Sequence, residues 1–398
     1  MRLSLSLDIG LVRGDTPGCS HRLHFNNAGA SLMPCPVIDT VVGHLRLEAR
    51  IGGYEAADAV QDRTEAVYAA AARLVGCQAG EIALFDNATR AWDAVFYAVR
   101  LAPGDRIVTG RAEYCSNYMA YLQAAHATGA EIVVIGDDEH GQINVDELRA
   151  VIDERVKLIS LPHVPTSGGL VNPAAQVGAV AREAGVPFLL DACQSVGQMP
   201  VDVRAVGCDF LAATGRKFLR GPRGTGFLYV NRDRIGGLHP AVVEVGAAAW
   251  TETGRYTLKD DARRFETWEA STALRLGLGR AIEYALDLGL PAIWDRVAAL
   301  AGGLRSRLGA IDGVTVHDLG RVKCGIVTFT VRGLESENLF SELRRRSVNV
   351  DVSTAADTRL DFEARGLSSL VRASVHYFNT DEEITRFCDL VGMLSQQA

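Results

Sequence analysis

A chain of 398 residues with 48% apolar side chains can bury the cores of two or three domains, which excludes a small disulfide-stapled module. Its 41 Lys and Arg against 48 Asp and Glu give a formal net charge of −7, and Arg344 to Arg346, the only basic run, reads as a solvated helix face; this weighs against a nucleic-acid partner. Eight cysteines scattered from Cys19 to Cys388 lack metal or disulfide spacing, no apolar run nears the ~18 residues of a membrane span, and MRLSLSLDIG does not read as a signal peptide, so a reduced, cytoplasmic, metal-free enzyme is expected.

In chain order, residues 1–24 carry few signals, and His24-Phe25-Asn26-Asn27-Ala28-Gly29-Ala30 reads as a turn of small and polar residues. Ala56 to Leu74 has helical spacing, with Val60, Val67 and Leu74 on one stripe and Gly76 as its stop. Glu81 to Leu84 leads into the polar turn Phe85-Asp86-Asn87-Ala88-Thr89. Arg90 to Val99 then predicts a helix with Trp92, Val95, Phe96 and Val99 toward the core. Unpaired N–H groups and the positive dipole end at such a helix start can seat a phosphate, although an ordinary N-cap accounts for the same letters. Arg106 to Val108, Glu131 to Ile135 and Val156 to Leu161 read as strands.

Three further apolar runs of strand length follow: Val186 to Leu190, Cys208 to Ala213 and Gly226 to Val230. Asp191 directly follows the first and Lys217 shortly follows the second, so an acid and an amine leave the sheet at one edge, where ligands sit in α/β proteins. That pair suits pyridoxal phosphate, whose pyridinium nitrogen needs a carboxylate and whose aldehyde needs a lysine to form a Schiff base. Taken singly, Asp191 also fits a helix cap and Lys217 a solvated surface position.

From Ala262 a loop leads to a helix with Leu274, Leu278, Ile282 and Leu286 roughly on one stripe, expected to link two domains. Beyond Pro291 come a helix to Leu308, strands near Val314 to Val316 and Gly325 to Val331, and a helix from Glu335 to Arg346, the pattern of a small α+β domain. In Leu370 to Thr380, Arg372 alternates with Val371, Ala373 and Val375, which as pure pattern is an exposed strand face.

Asp191-Ala192-Cys193-Gln194 and Thr214-Gly215-Arg216-Lys217, followed by G-P-R-G-T-G-F-L-Y-V, closely resemble the D-x-x-Q motif and lysine loop of the class V aminotransferase and cysteine desulfurase family of fold-type I enzymes. Its motifs run from about residue 25 to residue 380. The resemblance implies an α/β fold, with a mostly parallel seven-stranded sheet between helices and a small α+β C-terminal domain. It divides the chain into a segment 1–24 packing on the small domain, a cofactor domain 25–262, a linking loop and helix 263–290 and a small domain 291–398.

Carried over residue by residue, the resemblance makes Lys217 the Schiff-base lysine, Asp191 the pyridinium partner and Gln194 a donor to the cofactor's phenolic oxygen. Ala88, Thr89 and Thr214 would hold the phosphate, Asn27 would touch substrate, and Arg372 would fork onto the substrate's α-carboxylate. Tyr114 stands where the family stacks a histidine on the ring, Thr166 stands for an asparagine near the phenolic oxygen, and Arg216 replaces the histidine before the lysine. Arg216 could clamp the cofactor, clamp a substrate acid or point to solvent, and His163 reads as an acid–base group or a structural residue. The implied partners are a small amino-acid substrate and a second copy in a homodimer, with the Arg264-Phe265-Glu266 segment approaching the neighbouring site.

Lys217 would then lead Cα deprotonation, followed by β-elimination, reprotonation or transamination. The lysine loop looks most like the subgroup of isopenicillin-N epimerase and carbon–sulfur lyases. The expected function is therefore cleavage of the Cβ–sulfur bond of a cysteine S-conjugate, with epimerase, aminotransferase or decarboxylation-coupled deamination as alternatives. Cysteine desulfurase chemistry is disfavoured on this reading, because no cysteine lies between Cys324 and Cys388 to attack a substrate sulfur.

Overall fold

The structure, a computed structural model, describes residues 7–397. After a short strand β1 (Leu23–His24), the apolar runs become a seven-stranded sheet of β2 (Ile82–Phe85), β3 (Arg106–Gly110), β4 (Glu131–Ile135), β5 (Val156–Pro162), β6 (Phe188–Asp191), β7 (Phe210–Thr214) and β8 (Gly226–Val230). Their order is β2-β8-β7-β6-β5-β3-β4, and only β8 runs against its neighbours. Every residue of β6, β7 and β8 is buried, as expected for central strands covered on both faces. Parallel order puts the carboxyl ends of β5, β6 and β7 along one edge, and there the site forms.

The helix Thr272–Leu288 lies against the helices Cys35–Ile51 and Gln61–Val75. Gly277 and Gly279 permit that approach, since a Cβ on them would come within 2.5 Å of Val41 and 2.8 Å of Val67. Of its expected stripe Leu278 and Ile282 are buried, whereas Leu274, beside a cavity, and Leu286 are half-buried, and Ala273 and Leu276 are buried in addition. The helix expected over Ala56 to Leu74 is two helices, Gly53–Asp58 and Gln61–Val75, because Val60 leaves helical dihedrals at φ −123°, ψ 17°. An unanticipated hairpin of β9 (Ala248–Glu252) and β10 (Arg255–Leu258) pairs Trp250 with Tyr256.

The small domain is an antiparallel sheet of β11 (Val314–Val316), β12 (Ile326–Val331), β14 (Asp351–Thr354) and β15 (Ser369–Ser374), in the order β11-β12-β15-β14. The helices Leu290–Gly309, Ser336–Arg345 and Asp381–Ser395 bury Leu300, Leu304, Leu339, Leu343, Phe387 and Val391 in its core. The last helix starts on a capping box in which Thr380 and Glu383 each accept from the other's backbone N–H. β1 pairs in parallel with β13 (Val348–Asn349), which ties residues 23–24 to this domain. Among the described residues no helix is long and apolar enough to cross a membrane.

Candidate active site

The ends of β5, β6 and β7 and the start of the helix Ala88–Phe96 enclose a cavity that contains Lys217, Asp191, Gln194, Thr214, Thr166, Tyr114, Arg216, Ala88 and Thr89. A larger cavity beyond that helix, lined by Phe85, Arg90, Tyr97 and Glu269, holds neither Lys217 nor Asp191. The chemistry belongs to the smaller one.

Asp191 is the last residue of β6 and is 8% exposed. Its Oδ1 accepts from the Cys193 N–H at 2.9 Å and its Oδ2 from Asn117 Nδ2 at 3.1 Å. Asn117 also donates to Glu113 Oε1 at 3.0 Å, joined there by the Tyr114 N–H at 2.8 Å. Thr109 and Tyr121 hydroxyls donate to Glu113 Oε2 at 2.7 and 2.9 Å. Burial pushes the Glu113 carboxyl up to about 7, against the pull of those donors. The sequence reading did not anticipate these bonds behind Asp191, although Glu113 and Asn117 flank the start of the helix Cys115–Thr128 in one polar run.

Lys217 is 9% exposed, three residues beyond the end of β7. Burial pulls its amine down to about 8, and the neighbouring Arg216 and Arg372 charges act in the same direction, so a neutral, nucleophilic fraction exists near neutral pH. Its loop is cross-tied: Gly215 N–H donates to Thr225 O at 3.1 Å, Gly221 N–H to Gly215 O at 2.7 Å and Arg220 N–H to Lys217 O at 2.9 Å. Arg220 itself is left-handed, with φ 59°, and fully buried. It holds that strained conformation by donating to Leu32 O and the Tyr377 hydroxyl, both at 2.8 Å, and to Thr16 Oγ1.

At the turn expected to seat a phosphate, the cap is present and first-turn N–H groups remain without helical acceptors. Asn87 caps the helix, its Oδ1 accepting from the Arg90 N–H at 2.9 Å, and the N–H groups of Ala88 and Thr89 lie in the first turn, where a helix has no internal acceptor for them. Gly226 lets β8 press against this turn, because a Cβ there would come within 2.8 Å of Ala88 N. Thr214 Oγ1 donates weakly to Thr225 O at 3.4 Å, and Tyr114 stays a protonated phenol, its pKa raised by burial.

Other candidates are placed less simply. Gln194 spends its Nε2 on Ala28 O and Thr166 Oγ1, both at 3.2 Å, and its buried Oε1 has no partner. Arg216 donates to Gly29 O, which ties the lysine loop to the N-terminal segment. Asn27 is fully buried away from the cavity, donating to Ser374 O and accepting from Ser31 Oγ, both at 2.7 Å. His163 is kept neutral by burial, which pulls it down to about 4. Arg372, read from pattern as exposed, is 6% exposed: Nη1 donates to Thr166 O and Oγ1, both at 3.0 Å, Nη2 to Asp351 at 2.6 Å, and Nε has no partner. Burial wins over alternation because β15 lies between β12 and β14 with one face turned to the large domain.

A held carboxylate, an amine drawn below its usual pKa, a helix N-terminus and a guanidinium with a spare donor form the donor set that pyridoxal phosphate and an amino acid require. Fold and site together define a fold-type I pyridoxal-phosphate enzyme. The family model for aminotransferase class-V matches residues 23–387, and the chain belongs to that family. It is 28% identical over 379 residues to a probable cysteine desulfurase of Methanothermobacter thermautotrophicus, covering 94% of each chain. It is 29% identical to another from Xylella fastidiosa strain Temecula1, covering 94% of this chain and 93% of that one. The solved apo cysteine desulfurase of Thermococcus onnurineus NA1 superimposes with a TM-score of 0.91 at 25% identity, covering 98% of both chains.

These relatives correct two expectations. The relatives are named cysteine desulfurases rather than isopenicillin-N epimerases or carbon–sulfur lyases, so the disfavoured desulfurase reading is the one the full-length relatives carry, against the expected lyase on cysteine S-conjugates and its epimerase, aminotransferase and deamination alternatives. The expectation rested on a missing thiol in residues 351–359. A thiol at that position reports which group receives the sulfur, whereas the substrate is chosen by the cavity as a whole.

Proposed function

We propose that the protein removes sulfur from cysteine, with alanine as the carbon product. The observation that carries this reading is a cavity lined by Lys217 and Asp191, with Arg372 bonded to Thr166 in its wall, in a chain related over its whole length to desulfurases. Bound there, pyridoxal phosphate supplies an electron sink for bonds at the substrate's Cα. Asp191, held from two sides, would keep the ring nitrogen protonated. Lys217 would hold the cofactor through its amine and would serve as the base for the substrate's Cα proton. Arg372 orients the α-carboxylate through Nε and Nη2.

The sulfur acceptor differs from a resident loop thiol, since no cysteine lies between Cys324 and Cys388. Cys193 borders the cavity, but burial raises its thiol well above the ordinary range, so it stays a neutral, poor nucleophile. The acceptor is then a small thiol from solution. Its thiolate attacks the substrate sulfur, the S–Cβ electron pair passes to carbon, Cβ takes a proton, the Cα proton returns from Lys217, and alanine and a persulfide leave. The same reading includes a homodimer, supported by the aromatic pair Trp250 and Tyr256, 80% and 54% exposed on a projecting hairpin.

The test is incubation of the cofactor-loaded protein with cysteine and a small thiol. Alanine and persulfide in equal amounts are expected, and both are lost in Lys217→Ala. Pyruvate and ammonia in place of alanine would overturn the proposal.

A further inference from the structure

Arg372 and Asp351 are directly opposed residues of the antiparallel pair β15 and β14, and Nη2 of the arginine donates to the carboxylate at 2.6 Å. Their surroundings are unequal: the Arg372 side chain is 8% exposed and that of Asp351 41%. A guanidinium buried without a counterion is costly, so a carboxylate has to stand at Arg372 whether or not substrate is bound. Asp351 supplies it in the free protein, and its wet side can turn outward without being stranded. The unpartnered Nε shows that Asp351 does not satisfy the arginine completely.

We propose that Asp351 is the resident counterion of Arg372, displaced from Nη2 by the substrate's α-carboxylate, and that it thereby sets the affinity and charge selectivity of the site for amino acids. This rests on the reading above that Arg372 receives the carboxylate. An incoming carboxylate gives Nε the acceptor it lacks and replaces Asp351 at Nη2, so binding costs one ion pair and returns a forked one. A ligand without a carboxylate leaves the resident pair intact. Asp351 and Asp357, whose charge also reaches Arg372, then remain beside the bound substrate and disfavour a second anionic group on it.

The experiment titrates the cofactor-loaded wild type, Asp351→Asn, Asp351→Glu and Arg372→Ala with L-alanine and with L-alaninamide, following the absorbance of the bound cofactor. Asp351→Asn should bind alanine roughly tenfold more tightly, since about one charge-assisted hydrogen bond no longer has to be broken, without a gain for alaninamide. Asp351→Glu should restore the wild-type ratio of the two ligands, and Arg372→Ala should weaken alanine at least roughly tenfold. If Arg372→Ala leaves alanine binding unchanged, the carboxylate binds elsewhere and the underlying reading falls together with the inference. If Arg372→Ala weakens it, but Asp351→Asn leaves alanine unchanged, weakens it or strengthens both ligands alike, the inference alone is overturned.

Discussion

On the sheet side of the cavity, Asp191 has a donor on each oxygen, Glu113 behind it has four, and the loop carrying Lys217 is cross-tied by its own backbone. On the small-domain side, Arg372 Nε is buried without a partner, and the carboxylate on Arg372 is half in solvent. The first side serves a cofactor that stays, so its geometry is settled before anything binds and no reorganisation is needed at the moment of reaction. The second serves a substrate that comes and goes, and its unmet bonds are ones the ligand can complete. Arg220 joins the two, reaching from the lysine loop to Tyr377 of the small domain.

The largest effect is expected at the settled side. Lys217→Ala should lower turnover at least about a thousandfold, the upper range for loss of a general base that is also the nucleophile. Borohydride should then no longer fix cofactor to the protein; a label on Lys157, Lys259 or Lys323 in the wild type would break the comparison outright. Asp191→Asn follows, at roughly a hundredfold, the scale of losing one preorganised electrostatic contact, with cofactor still bound. Near-normal turnover there would remove Asp191 from the ring nitrogen.

A stability measurement sharpens the same point. Burial lowers the Lys217 amine from 10.5 to about 8 in the folded protein, so below pH 8 folding carries the cost of a buried ammonium. Cofactor-free Lys217→Met should therefore be more stable than the cofactor-free wild type at pH 7, by on the order of 3 kcal/mol. The unfolded chain binds the extra proton between pH 8 and 10.5, so wild-type stability rises across that window and the gap closes. A gap independent of pH in denaturant titrations would mean the amine is not strained by burial.

Smaller effects test the outer layer. Glu113→Gln keeps acceptors for Tyr114 and Asn117 and lets the Thr109 and Tyr121 hydroxyls rotate to accept, so only the charge behind Asp191 is lost. A fall in turnover of about tenfold is expected, comparable to one charged hydrogen bond. Unchanged kinetics would confine Glu113 to folding. Cys193→Ser should change turnover by no more than about twofold, because its neutral buried thiol is a poor nucleophile, and mass spectrometry should find no persulfide on the wild-type Cys193.

Much of this contrast was legible before folding, but unevenly. The runs Val186 to Leu190 and Gly226 to Val230 are strands within two residues of their expected bounds, because an apolar run punctuated by Asp or Gly is a local property. Asp191 and Lys217 were reachable because the last residue of a strand and the few that follow it already lie at the sheet edge. Asn27 and Arg216 were not: each side chain settles on a backbone carbonyl, Ser374 O and Gly29 O, that sequence spacing does not bring near. Arg372 shows the limit of alternation, since a strand face is exposed only if no second layer lies against it.

By itself, then, the order of residues determined the strands, the acid and amine at their ends, the capped turn after β2 and the cofactor they serve, because each depends on neighbours a few positions away. The bridge from Glu113 through Asn117 to Asp191, the neutral state of Cys193, the turning of Asn27 away from the cavity and the pairing of Asp351 with Arg372 were decided only in three dimensions. Asn117 and Asp191 are 74 positions apart, and Asn27 and Ser374 are 347 apart. At such separations the partner of a polar atom is set by which side chains the packing of two domains buries together, since a buried donor must take an acceptor within reach or remain unpaired at a cost.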